Sequence, residues 1–131
     1  MKKKYIELIN SFWWLTLLLG ILIYLLFRSD NLIYNNFFSS PIKLSIEINS
    51  KLTNFLIYSL PNGLWSLSYS QLIFHIYKVK SLKTILLSSV MVFLGISIEI
   101  LQIQGFINGT FDFYDIFSYI ILYLTIILIQ K

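Results

Sequence analysis

Apolar residues run almost without interruption through four stretches of the chain, and polar residues gather between them. The uncharged run from Phe12 to Phe27, extended back toward Tyr5 and ended by Arg28, predicts a spanning helix over about 6–27. Pro61 suits the first turn of a second helix, about 61–77, because that turn leaves its N–H groups unpaired anyway. A third helix, about 84–102, carries Ser88, Val92, Gly95, Glu99 and Gln102 along one side, and this small and polar stripe is expected to face other helices. The uncharged run Ile116 to Ile129 gives only about 21 Å of helix against the roughly 30 Å of a hydrocarbon core. Starting the fourth helix near Phe111, over about 111–130, restores the length and draws Asp112 and Asp115 into its first turns. The helix dipole favours negative charge there.

Between the first two runs the pattern changes. Ser29-Asp30-Asn31 and Ser39-Ser40-Pro41 are turn signals. Over about 42–59, apolar Leu44, Ile48, Leu52, Phe55 and Leu56 lie beside Lys43, Glu47 and Lys51 at a parallel four-residue spacing. This predicts an amphipathic helix lying on a membrane surface, since spanning would submerge three charges. Leu60-Pro61-Asn62-Gly63 is expected to break the chain before the second span.

Composition fixes the solvent of this fold. The 131 residues are 57% hydrophobic and only 12% charged, about half the charged share of a soluble domain. A soluble fold this small could not hide so much apolar surface. The expected class is therefore an all-α membrane protein, a single polytopic domain of four transmembrane helices plus a short extracytoplasmic amphipathic helix. The lysine-rich start resembles a signal peptide, yet the sequence contains no alanine and so no Ala-x-Ala cleavage site; an uncleaved first span is expected.

Charge then sets the topology. With four spans, Lys2, Lys3, Lys4, Lys78, Lys80, Lys83 and Lys131 fall on one side, and Arg28, Lys43 and Lys51 on the other. Positive-inside asymmetry places both termini in the cytoplasm of a bacterial inner membrane. The net charge of +4 is spread over segment ends, with no aromatic-basic platform, so no nucleic-acid partner is expected. The absence of cysteine excludes disulfides and thiolate chemistry, and a single histidine excludes an all-histidine metal site.

Candidate chemistry collects between Glu99 and Asp115. That stretch holds three of the six carboxylates and neither lysine nor arginine. Acidic side chains at membrane depth are costly and are the first suspects for function. Glu99 and Asp115 lie about one turn inside the same ends of consecutive helices, so their depths match. An outward pocket is expected, floored by Glu99 and Asp115, rimmed by Asn62, Gln102 and Asp112, with Arg28 as counter-ion. No cofactor is expected, and no metal, because the acidic spacing matches no Ca²⁺ loop. No phosphate-binding glycine loop or nucleophile elbow is present. His75, near the inner end of the second span, reads as an interfacial residue.

Glu99-Ile100-Leu101-Gln102, followed by Gly109-Thr110-Phe111-Asp112 and Asp115, resembles the VanZ-like family of small bacterial membrane proteins. Pro61-Asn62-Gly63-Leu64-Trp65 resembles the start of a preceding helix in that family, where an aspartate often stands at the position of Asn62. The likeness covers roughly residues 60–122, and Ser118-Tyr119-Ile120 departs from the family's pattern. It implies a polytopic helical membrane protein and, for the founding members, low-level resistance to the glycopeptide teicoplanin; it implies no chemistry. Three uses of the acidic pocket stay open: binding an envelope lipid or lipid-linked head group, knitting a subunit into a larger membrane complex, or acid–base catalysis.

Overall fold

Serine and glycine recur along one face of the segment after Pro61, and this face becomes the centre of the structure. The computed structural model describes residues 2–27 and 50–130. Every regular element among them is helical: α1 (Lys2–Ser11), α2 (Trp13–Phe27), α3 (Lys51–Asn54), a π-helical segment (Phe55–Ser59), α4 (Leu60–Tyr77), α5 (Leu82–Ser88), α6 (Val90–Ile103) and α7 (Phe113–Ile129). Helix α4 touches α1, α2, α5, α6 and α7.

Small polar residues outnumber large apolar ones in the interior. Ser59, Ser66, Ser70, Ser88 and Ser118 are fully buried, whereas Phe93, Leu94, Ile103 and Leu124 stand exposed. Small side chains let backbones approach, and hydroxyls then bond across helices. Ser68 Oγ donates to the Trp13 carbonyl at 2.7 Å and Gln71 Nε2 to that of Ile9 at 3.2 Å, which ties α4 to the N-terminal helices. A Cβ built on Gly63 would lie 2.9 Å from the Ser118 carbonyl oxygen of α7, and one on Gly95 would lie 2.5 Å from the Tyr119 ring.

The expected third helix is two helices, bent by 41° at Ser89. Its carbonyls are claimed by side chains: Tyr123 OH and Ser88 Oγ both donate to the Ile85 carbonyl, and Ser70 Oγ donates to that of Ser88. Ser89 Oγ takes the Leu86 carbonyl at 2.8 Å. Serine hydroxyls that bond back to the preceding turn bend helices. The predicted stripe survives the bend, with Ser88, Val92, Gly95 and Glu99 all buried.

Two boundaries differ from expectation. Ser50 is extended and caps a new helix by accepting from Thr53 N–H, so no single helix covers 42–59; residues 42–49 lie outside the described residues. Nor does the chain break at residues 60–63. Helix runs through Pro61, because the π segment before it moves the Leu60 N–H onto Phe55 O and widens the turn that receives the proline ring. Thr125 is exposed and bonds the Ile121 carbonyl of its own helix.

Among the described residues, one helical run, Lys3–Phe27, is long and apolar enough to cross a membrane, and the bent pair Leu82–Ile103 is a second if counted as one span. Helix α7, at 17 residues, is shorter. Gly63→Ala tests the α4–α7 contact: crowding at the Ser118 backbone should outweigh alanine's better helix propensity and lower stability by about 1–2 kcal/mol, measured by thermal unfolding in detergent.

Candidate functional site

Three helix ends meet at the end of the bundle opposite the lysine loop. Helix α6 stops because Gly105 takes a left-handed turn, φ +73°, while Phe106 N–H bonds Leu101 O at 3.0 Å and Gly105 N–H bonds Gln102 O at 3.1 Å. This is the Schellman arrangement that a glycine permits without strain. The loop then folds back over Gln102: a Cβ on Gly109 would lie 2.5 Å from the Gln102 side-chain amide group. Asp112 opens α7 as its N-cap, with Oδ1 accepting from Tyr114 N–H at 2.8 Å.

This return brings the carboxylates together. Glu99, 5% exposed, accepts the Asp112 backbone N–H on Oε2 at 3.0 Å. With its amide nitrogen turned toward them, Gln102 donates to the same Glu99 oxygen and to the Thr110 carbonyl, both at 3.2 Å. From α4, Asn62 Nδ2 donates to Asp115 Oδ2 at 2.9 Å. Glu99 and Asp115 lie close enough for their charges to act unfavourably on each other. Two such groups share a proton or a cation, since two bare anions at that distance repel.

These residues line a cavity of about 400 Å³. Glu99, Gln102, Asp112, Asp115 and Asn62, the five expected site residues among those described, all contribute to its wall. Arg28, the expected counter-ion, lies outside the described residues. No lysine, arginine or histidine is among the described lining residues.

Two tyrosines in the wall, Tyr58 and Tyr119, escaped the sequence reading. Tyr58 was hidden because residues 42–59 read as a surface helix apart from the bundle. Tyr119 had a signal: it lies four residues after Asp115, one helical turn further along the same face. Its ring fills the space that Gly95 leaves open.

No family model matches the chain, and no curated protein or solved structure matches it.

The cap at Asp112 supports the whole return. Asp112→Ala should cost about 1 kcal/mol, while Asp112→Asn, which keeps the acceptor, should cost only a few tenths. Chemical unfolding monitored by helical circular dichroism checks the pair.

Proposed function

We propose that the chain is a four-span membrane protein that binds an ammonium-bearing lipid head group, or a lipid-linked one, in the acidic cavity. The observation that carries this reading is a cavity of about 400 Å³ with three carboxylates and no basic residue among its described lining. A cation placed there relieves the repulsion between Glu99 and Asp115 without removing their bonds to Asp112 N–H and Asn62. Tyrosine rings beside carboxylates suit an ammonium, which is drawn to aromatic faces as well as to negative charge.

The membrane reading is supported by the distribution of side chains. Serines are buried while phenylalanine, leucine and isoleucine face outward. Water would make that arrangement unstable, whereas lipid is a good solvent for it. In this reading the spans are α1 with α2, the helical run Lys51–Tyr77, the bent pair α5–α6, and α7. The VanZ-like resemblance agrees with such a protein, and a part in glycopeptide resistance would rest on that resemblance alone. The meeting of Lys3 and Lys78 at one end supports, by positive-inside asymmetry, a cytoplasmic position for that end and an outward-facing acidic cavity.

A second reading has its own observation. The bonds Asn62–Asp115 and Glu99–Asp112 join α4, α6 and α7, as they would in a structural subunit of a larger membrane complex. Head-group chemistry separates the two. Phosphatidylethanolamine should raise the unfolding midpoint in neutral detergent more than its N-acetylated form, and Glu99→Gln or Asp115→Asn should erase the difference. Equal effects of the two lipids on the unaltered protein would leave the scaffold reading standing.

Topology is directly testable because the chain has no cysteine. A single cysteine replacing Ile107 should react with a membrane-impermeant maleimide in intact cells. One replacing Val79 should react only after permeabilisation; the reverse pattern would invert the bundle.

A further inference from the structure

The opposite end of the bundle holds a second, smaller cleft that the acidic cavity does not explain. It measures about 120 Å³, space for a few water-sized groups. Lys3 of α1 and Lys78 at the end of α4 border it, and His75 is also in its wall. Asn10 and Gln130 also line it. These two amides bond reciprocally, Gln130 Nε2 to Asn10 Oδ1 at 2.9 Å and Asn10 Nδ2 to Gln130 Oε1 at 3.3 Å. Such a pair engages one N–H of each amide and leaves each nitrogen a second hydrogen to donate. Asn10 is 3% exposed, so this polar pair is built into the structure.

The backbone at Lys78 is also unusual. Among the described residues it is the non-glycine with positive φ, at +52°, and its N–H closes α4 on the Phe74 carbonyl at 3.0 Å. Glycine is the ordinary residue for a left-handed helix end, because side chains are strained there. A lysine serving topology alone could stand anywhere in the loop. Here one occupies the strained position that borders the cleft.

We propose that this cleft binds a phosphate group, through the ammonium groups of Lys3 and Lys78, with N–H donors from His75, Asn10 and Gln130. Ammonium groups hold phosphate as point charges, and neutral donors add direction. Glu7, in the same wall, opposes the anion. The carbonyl ends of α4 and α7 oppose it too, so both lysines are needed. A phospholipid head group and free inorganic phosphate share this chemistry.

The test uses the full chain in phosphatidylcholine vesicles, and the binding reading of the acidic cavity has no part in it. Inorganic phosphate is added against chloride at equal ionic strength, and phosphatidylglycerol is incorporated in a parallel series, with the unfolding midpoint as readout. A rise with phosphatidylglycerol alone identifies a lipid head group; a rise with inorganic phosphate alone identifies the free ion; a rise with both supports the shared site. Lys78→Gly keeps the left-handed turn and removes the ammonium, and Lys3→Gln removes the other. Each should weaken binding about tenfold or more, while Glu7→Gln should tighten it several-fold. No rise with either probe overturns the proposal, as does a rise that survives both Lys78→Gly and Lys3→Gln.

Discussion

Close approach of α4 to the α7 backbone is the constraint on which the acidic end depends. Gly63 has no side chain to hold the helices apart, and the Ser118 carbonyl occupies the space a methyl group would need. Only at that separation does Asn62, one residue earlier, reach Asp115 at 2.9 Å. Gly95 does the same for α6, where the Tyr119 ring takes the room of a missing Cβ. Two glycines therefore set the distances at which three helices present their polar groups.

Hydroxyl–carbonyl bonds complete the fold and shape it. In an interior with few large apolar side chains, van der Waals contact between backbones and bonds between helices replace the usual hydrophobic core. Ser70, Ser88 and Tyr123 draw on carbonyls at Ile85 and Ser88, and the helical pair that gives up those carbonyls bends by 41°. The bend and the buried serines are two aspects of one arrangement. It leaves the α6 half with its stripe facing α7 and its last turn at the acidic cavity.

Much of this was legible in the sequence, for identifiable reasons. The stripe Ser88, Val92, Gly95, Glu99 and Gln102 obeys helical periodicity, so burial of its first four members follows from spacing alone. Matching depths for Glu99 and Asp115 follow from a short connection between antiparallel helices. What failed were the places where one residue type admits two outcomes. Pro61 does stand in the first turn of α4, as read, but the break expected at residues 60–63 is replaced by a π turn that leads straight into it. Ser88 and Ser89 look like small packing residues, and only their neighbours' hydroxyls reveal a bend. Ser50 ends the predicted surface helix by capping a new one, a choice made by its extended backbone and its bond to Thr53.

The two ends of the bundle differ in charge as well as place. Lys3 and Lys78 border the cleft at one, and Glu99, Asp112 and Asp115 the cavity at the other, so the proposed anion and cation sites lie at opposite ends. The acidic cavity is the central claim, and its field is measurable at Thr110 in its wall. A cysteine at that position in the cysteine-free chain can be offered cationic and anionic thiosulfonate reagents of similar size. An open acidic cavity predicts that the cationic reagent reacts many times faster, and that Glu99→Gln with Asp115→Asn narrows the ratio. Equal rates, or faster reaction with the anion, would contradict it.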